Sequence, residues 1–178
     1  EGMQVPLDTG LQIESRYIAK LFSSKETRSM IRSLFFSINE AKKLGRRPEN
    51  VPPSWHRRVG VLGAGMMGSA IAYVSALAGI EVVLLDTSAE LADKGKSYGR
   101  QVMDKRISRG QMTETERDEV QARITTTSDF ADLTECELVV EAVFEDRAIK
   151  ADVTQKAEAV IAESAIFASN TSILPITG

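Results

Sequence analysis

The sequence predicts an α/β protein with a doubly wound parallel sheet, preceded by a helical segment. From residue 58 onwards, apolar strand-like runs alternate with helix-like stretches, which is typical of parallel strands joined by crossover helices. The run ELVVEAV at 137–143 is almost continuously apolar, as in strands that helices cover on both faces. Before residue 46, apolar side chains instead recur every three to four positions, and this spacing indicates helices.

Two helices are predicted in residues 1–45. The stretch 11–22 places four large apolar residues on one side of a helix: Tyr17, Ile18, Leu21 and Phe22. Ser23, with Glu26 three residues later, predicts a capping box that begins the second helix. Gly45 is the expected terminator of that helix.

The stretch 46–58, RRPENVPPSWHRR, is rich in proline and charge, which predicts a linker. We therefore divide the chain into a helical segment at 1–45, this linker, and an α/β domain at 59–178. The helical segment is either a cap packed on the α/β domain or the tail of a preceding domain.

Strands and helices alternate regularly after the linker. We predict strands at 58–62, 81–86, 123–127, 137–143 and 165–169. We predict helices at 66–79, 88–109, 113–122 and 146–163. The third of these helices should begin with a capping box formed by Thr113 and Glu116.

Composition narrows the functional classes. Residues 1–58 carry 11 Lys and Arg against 6 Asp and Glu, but the basic residues are spaced at helical intervals, so we expect no nucleic-acid partner. No apolar run approaches the roughly 18 residues of a membrane span, and the sequence EGMQVPLDTG is not a signal peptide, so we expect a cytoplasmic protein. The single cysteine, Cys136, is interpreted as a packing residue, and no metal site is expected.

The sequence GAGMMG at 63–68 follows a predicted strand and opens a predicted helix. In a Rossmann dinucleotide site, Gly63 would permit the tight turn, Gly65 would let the backbone approach the pyrophosphate, and Gly68 would let the helix pack closely on the strand. The N–H groups at the helix start would bind the phosphates. The alternative is a glycine turn without a ligand.

Asp86 follows the next predicted strand, 18 residues after Gly68. Its carboxylate would accept hydrogen bonds from the adenosine ribose and repel the extra phosphate of NADP, so NAD is the predicted cofactor. The alternative role for Asp86 is that of a helix cap. His56, the single histidine, precedes the first strand and is interpreted as a solvated linker residue, because ligands bind at the carboxyl ends of parallel strands.

Three stretches together closely resemble the dehydrogenase part of the alpha subunits of bacterial fatty-acid oxidation complexes: GVLGAGMMGSAIAYVSALAGIEVVLLD, LVVEAVFEDRAIK and IFASNTSILPI. The SNTS sequence after a strand is the most specific of these motifs. The earlier stretch GLQIESRYIAKLFSSKETRSMIRSLFF is similar to the segment that joins the enoyl-CoA hydratase domain of that family to its dehydrogenase domain. The resemblance therefore covers nearly the whole chain.

The resemblance implies roles for individual residues. Besides the glycines, the residues implied to contact NAD are Met67, Asp86, Val143, Phe144, Glu145, Lys150 and Ser172. Asn170 and Ser172 would lie beside the nicotinamide, where Ser172 would hydrogen-bond the substrate hydroxyl or the product ketone. Without a ligand, Val143 and Phe144 would be core residues, and the loop from Asn170 to Ser172 would be a polar turn.

The resemblance also implies an activity, the oxidation of 3-hydroxyacyl-CoA to 3-ketoacyl-CoA by NAD. The general base of the family is a His held by a Glu, at positions beyond Gly178, so we expect this chain alone to bind NAD without catalysing the reaction. The implied partners are an acyl-CoA substrate and a thiolase subunit. Rival hypotheses are a dehydrogenase of another hydroxy acid and a non-catalytic NAD-binding module.

The basic residues on the predicted helix 88–109 could reach a CoA phosphate or form a solvated charged face. They are Lys94, Lys96, Arg100, Lys105, Arg106 and Arg109. The sequence favours the solvated face.

Overall fold

The structure is a computed structural model that describes residues 2–45, 47–48, 50–52, 54–172 and 174. The chain divides into two compact units, Glu1–Pro53 and Ser54–Gly178. The division falls within the stretch that we interpret as a linker.

The first unit is entirely helical in its regular structure. It contains a short 3₁₀ turn at Gly2–Gln4, followed by α1 (Leu7–Phe22), α2 (Lys25–Met30), a π-helical stretch (Ile31–Ser37) and α3 (Ile38–Lys42). The two predicted helices are confirmed, but the second contains the π-helical stretch, which apolar periodicity does not reveal. The Ser37 hydroxyl donates a hydrogen bond to the carbonyl of Arg32, five residues earlier, which follows the wide π turn.

Both predicted ends of the second helix are shifted by one residue. The N-cap is Ser24, whose Oγ accepts a hydrogen bond from the Thr27 N–H at 3.1 Å. Ser23 instead donates its hydroxyl to the carbonyl of Ala19 in the preceding helix. At the other end, the left-handed residue is Leu44, with φ of 56°, and not Gly45.

The second unit is a five-stranded parallel sheet in the order β3-β2-β1-β4-β5. Its strands are β1 (Arg58–Leu62), β2 (Glu81–Leu85), β3 (Ile124–Thr127), β4 (Leu138–Glu141) and β5 (Ile166–Ser169). Its helices are α4 (Met66–Leu77), α5 (Ala89–Ile107), α6 (Glu114–Ala122) and α7 (Arg147–Glu158). Each of these elements was predicted, and the capping box of Thr113 and Glu116 is present.

The predicted ends of two elements were less accurate. Strand β4 and helix α7 are both shorter than predicted. The chain leaves the sheet after Glu141, and α7 ends at Glu158. A 3₁₀ turn at Phe130–Leu133 was not predicted.

The core forms two clusters, and side chains alternate between them along each central strand. Along β1, Val61 belongs to a cluster with Tyr73 and Met103, whereas Leu62 belongs to a cluster with Leu133. This alternation shows that helices cover both faces of the sheet. Cys136 is buried in the second cluster, and burial raises the pKa of its thiol to about 11, consistent with the predicted packing role.

Strand β1 lies at the point where the strand order reverses, since β2 and β3 lie on one side of it and β4 and β5 on the other. The connections leaving β1 and β4 therefore diverge. In open α/β sheets, ligands bind in the crevice that this reversal creates at the carboxyl ends of the strands.

Candidate functional site

The glycine loop lies at the carboxyl end of β1. Gly63 has φ of +92°, a left-handed conformation, and a Cβ there would lie 2.8 Å from the carbonyl oxygen of Ala142. A Cβ on Gly68 would lie 1.7 Å from the carbonyl oxygen of Gly63, so this glycine allows α4 to pack on the loop. At Gly65 a Cβ would meet no atom within 4 Å, so the space in front of this residue is open.

Asp86 follows β2 and holds the glycine loop from the neighbouring strand. Its Oδ2 accepts a hydrogen bond from the Ala64 N–H at 2.6 Å, and its Oδ1 accepts one from the Thr87 N–H at 2.7 Å. Carboxylate oxygens can each accept more than one hydrogen bond, so these contacts leave room for a ribose hydroxyl. The contact between Asp86 and a ribose stays a prediction.

One cleft of about 870 Å³ joins the glycine loop to the ends of β4 and β5. This volume lies within the range of about 300–1,000 Å³ that is usual for ligand sites. The residues that line the cleft are Gly63, Gly65, Met66, Met67, Asp86, Thr87, Ala142, Val143, Phe144, Glu145, Ile149, Val153, Asn170 and Ser172. The structure therefore brings together nine of the eleven residues that we predicted for the site.

Gly68 and Lys150 do not line the cleft. Gly68 is buried beneath the loop, as its packing role requires. The Lys150 ammonium lies 2.9 and 3.0 Å from the two carboxylate oxygens of Glu141 and 3.6 Å from Oε2 of Glu145. Lys150 thus anchors the start of α7 behind the cleft, and the structure does not support its predicted place in the cleft wall.

Glu141 is the central residue that the sequence analysis missed. Its side chain is 1% exposed, and besides Lys150 its carboxylate accepts hydrogen bonds from the Ser169 hydroxyl at 2.6 Å and the Val143 N–H at 2.8 Å. Burial alone would raise the pKa of this carboxyl, but the hydrogen bonds from Ser169 and Lys150 outweigh burial and lower the pKa. The sequence signal was a carboxylate within an apolar strand, since a buried charge requires a partner.

The Glu141 network orders the loop that follows β5. The Asn170 N–H donates to the carbonyl of Glu141 at 2.8 Å, and the Thr171 hydroxyl donates to Oε2 of Glu145 at 2.7 Å. These contacts connect the loop that carries Asn170 and Ser172 to strand β4 and to the start of α7. Asn170 and Ser172 of SNTS therefore line the cleft, whereas Ile173, Pro175 and Ile176 lie outside the described residues.

His56 lies at the opposite end of the sheet, just before β1. Its Nδ1 is 3.8 Å from a carboxylate oxygen of Glu137, which precedes β4. The side chain is 24% exposed, so His56 is half-buried and not the solvated residue that we predicted, although its place before β1 was predicted correctly.

The basic face of α5 is only partly solvated. The Lys96 ammonium donates to the carbonyl of Ile124 at 2.6 Å, and Arg106 donates to the Tyr73 hydroxyl at 3.5 Å. Lys94 lines a smaller cavity of about 380 Å³ on the other side of the glycine loop. The prediction of a uniformly solvated charged face was therefore wrong for Lys96 and Arg106.

The family described as "3-hydroxyacyl-CoA dehydrogenase, NAD binding domain" matches residues 58–178. The chain belongs to this family. NAD is thus the cofactor of the second unit, as the glycine loop and Asp86 predicted. The "Fatty acid oxidation complex subunit alpha" of Shewanella frigidimarina is 40% identical over 177 residues, which are 99% of this chain and 25% of that protein. The chain therefore spans about a quarter of the length of the curated relatives that it matches, and the predicted resemblance to alpha subunits is confirmed.

Solved structures confirm the predicted fold of this dehydrogenase domain. A crystal structure of (S)-3-hydroxybutyryl-CoA dehydrogenase from Ralstonia eutropha aligns with a TM-score of 0.67 and 33% identity, covering 69% of this chain and 44% of that one. The 3-hydroxybutyryl-CoA dehydrogenase of Escherichia coli aligns with a TM-score of 0.66 and 29% identity, covering 70% of this chain and 26% of that one. Among the described residues, no helix has the length and hydropathy to cross a membrane.

Proposed function

We propose that the protein oxidises 3-hydroxyacyl-CoA with NAD, as the dehydrogenase of a fatty-acid oxidation alpha subunit that also hydrates 2-enoyl-CoA. The observation that carries the proposal is the start of α4. Helices α5, α6 and α7 are each capped by a side chain, from Ser88, Thr113 and Asp146 respectively. Helix α4 instead begins after Gly65 without a side-chain cap, and it faces the open space of the cleft.

An uncapped helix start is a site for an anion. The first N–H groups of a helix require acceptors, and the helix dipole places partial positive charge there. A pyrophosphate can supply those acceptors only if the backbone is accessible, and the absence of a side chain at Gly65 provides that access. The residues present therefore fit NAD, with its pyrophosphate at Gly65 and its adenosine ribose at Asp86.

The opposite wall of the cleft fits the reacting end of the cofactor. Bound NAD would accept the hydride from the 3-carbon of the substrate. The Ser172 hydroxyl would hydrogen-bond the substrate hydroxyl or the product ketone, and Asn170 would orient the substrate beside it. The exposed apolar side chains of Met67 and Phe144, 47% and 77% exposed, would exclude water when covered by ligand or protein.

Removal of the hydroxyl proton requires a base, and the described cleft residues include no histidine. His56 lies beside Glu137 at the amino end of the sheet, so it cannot serve this purpose. The base would be the histidine that the family places after Gly178. We propose that the 178 residues bind NAD, and that turnover requires a base that the described cleft residues do not supply.

Partner and location follow from the same proposal. The relative is named as the alpha subunit of a complex, which supports a second subunit, and by family resemblance we propose a thiolase. We propose that the substrate is an acyl-CoA ester and that the complex acts in the cytoplasm. In this proposal Glu145 would line the cleft near the reacting groups, and Lys150, 3.6 Å from its carboxylate, would hold it from behind.

The test compares NADH formation from 3-hydroxybutyryl-CoA by the 178-residue chain and by the full-length alpha subunit that we propose contains it. We expect turnover only in the longer protein, since a general base contributes about 10²–10⁴-fold. Ser172→Ala should lower kcat, and His56→Ala, the matched control at the other sheet end, should leave kcat unchanged. NAD should support the reaction better than NADP because of Asp86.

The results of this assay also distinguish the proposed function from the rival hypotheses. Turnover of free 3-hydroxybutyrate in place of its CoA ester would favour a dehydrogenase of another hydroxy acid. NAD binding without turnover by either protein would favour a non-catalytic module. Activity of the 178-residue chain that is lost in His56→Ala would contradict the proposed site.

A further inference from the structure

Ala64, the residue between the first two glycines of the loop, is held on three sides. Its N–H donates to Asp86 Oδ2 at 2.6 Å, and its carbonyl accepts from the Ser69 hydroxyl at 2.7 Å. Ser69 is 4% exposed, so this second contact is shielded from water. The third side of Ala64 faces helix α5 at Gly95, which is buried.

Gly95 makes this close approach possible. A Cβ at this position would lie 2.6 Å from the Cβ of Ala64, 2.7 Å from its carbonyl oxygen and 2.9 Å from the Ser69 hydroxyl oxygen. Non-bonded heavy atoms prefer separations of about 3.5–4.0 Å. Because the Ala64 oxygen belongs to the backbone, no side-chain rotation could relieve the contact, and the loop or the helix would have to move.

The helix itself gains nothing from this glycine. Glycine in a helix interior costs about 1 kcal/mol relative to alanine, and Gly95 is in the interior of a 19-residue helix. The position therefore serves the contact with the loop and not the stability of α5.

We propose that Gly95 is a positioning residue for NAD. It sets the distance between α5 and the glycine loop, and so the direction in which Gly65 and the first N–H groups of α4 point. A hydrogen bond prefers an angle above about 150° and weakens steeply below about 120°, so a displacement at Ala64 that turned the N–H groups away from the phosphates would weaken their hydrogen bonds. The inference rests on the proposed function, because it requires the pyrophosphate to bind at Gly65.

Gly99 provides a matched control one helical turn later. It is also buried in α5, but a Cβ there would lie 3.2 Å from Cβ and Cδ2 of Tyr73, well away from the loop. Tyr73 belongs to helix α4 and not to the glycine loop, so an adjustment there leaves Ala64 in place. Gly95→Ala and Gly99→Ala thus add the same methyl group to the same helix and differ in what the methyl meets.

The experiment measures NAD affinity by isothermal titration, and stability by urea unfolding, for the 178-residue chain and both variants. We expect Gly95→Ala to bind NAD about tenfold more weakly, which corresponds to about 1.4 kcal/mol, and Gly99→Ala to bind as the unmodified chain does. Unchanged affinity in folded Gly95→Ala would overturn the inference, as would an equal loss in Gly99→Ala. Absence of NAD binding by the unmodified chain would instead overturn the proposed function.

Two further variants identify the contact responsible. Adding Ala64→Gly to Gly95→Ala removes the atom of the loop that lies closest, so the double variant should recover part of the lost affinity. No recovery would contradict a role for the Cβ of Ala64 and leave its carbonyl oxygen, 2.7 Å from the added methyl group, as the only contact with Ala64 that could transmit the displacement. If Gly95→Ala does not fold, Ser69→Ala tests the same positioning without a clash, and it should weaken NAD binding because the Ala64 carbonyl loses its donor; unchanged affinity there would contradict the proposal.

Discussion

The two units bury their apolar side chains to very different extents. In the second unit, Val61 and Leu84 are completely buried. Helices α4, α5 and α6 contact the strands of the sheet, and Ala157 of α7 belongs to the same core cluster as Val139 of β4. In the first unit no described residue is buried, and large side chains such as Phe22 and Phe35 are 68% and 61% exposed. An amphipathic pattern therefore predicts that a helix forms, but only a partner surface determines whether its apolar face is buried.

The same contrast applies to charges. The Lys150 and Glu141 pair in the second unit is nearly enclosed, with side chains 11% and 1% exposed. Its hydrogen bonds join β4, β5 and α7. In the first unit, by contrast, the charged residues on the helices are exposed to solvent. We infer that the second unit provides most of the cooperative stability of the chain, and three predictions test this comparison.

The largest effect should come from a cavity in the sheet. Leu84→Ala removes a fully buried side chain from β2 and should lower the free energy of unfolding by about 3–4 kcal/mol. The matched control is Leu34→Ala in the first unit, where the side chain is 61% exposed, and it should change stability by less than about 0.5 kcal/mol. Urea unfolding followed by circular dichroism measures both. Equal losses would contradict the comparison.

A smaller effect should follow from breaking the buried ion pair. Lys150→Met leaves the Glu141 carboxylate buried with two of its donors, and should cost about 2 kcal/mol. Lys156→Met on the same helix breaks a pair with Asp152 whose side chains are 53% and 57% exposed. This control should cost less than about 1 kcal/mol. If the two variants unfold at the same urea concentration, the buried pair of Lys150 and Glu141 contributes no more to stability than the exposed pair does, and the comparison is contradicted.

The smallest effect should appear in how the free energy of unfolding changes at acidic pH. The pKa of Glu141 in the folded state lies below its ordinary value of 4.5, because hydrogen bonds outweigh burial. The unfolded chain then binds more protons, so the contribution of Glu141 is complete above pH 4.5 and is lost as pH falls through the folded pKa.

Glu141→Gln should therefore flatten the loss of stability between about pH 6 and pH 3, relative to the unmodified chain. Glu119→Gln, which changes an exposed carboxylate on α6, serves as the control and should leave that slope unchanged. Stability curves of Glu141→Gln and the unmodified chain that run parallel over this range would show that the carboxyl is not stabilised in its charged form.

Features that depend on neighbouring residues could be predicted from the sequence. Strand and helix alternation gave the parallel sheet, and the Thr113 and Glu116 box gave the start of α6, because capping involves groups three residues apart. The glycine spacing at 63–68, followed by Asp86, predicted the cofactor site, because the motif lies within one strand, turn and helix and the next strand along the chain.

Features that join distant parts of the chain could be seen only in the folded structure. Ser169 donates to Glu141 from 28 residues away, and Lys150 turns from the cleft because that buried carboxylate requires a counter-charge. Gly95 of α5 lies against Ala64 of the glycine loop, 31 residues earlier in the chain. No local pattern encodes these pairs, because the sheet order and the packing of α5 on the loop first bring their atoms within contact distance.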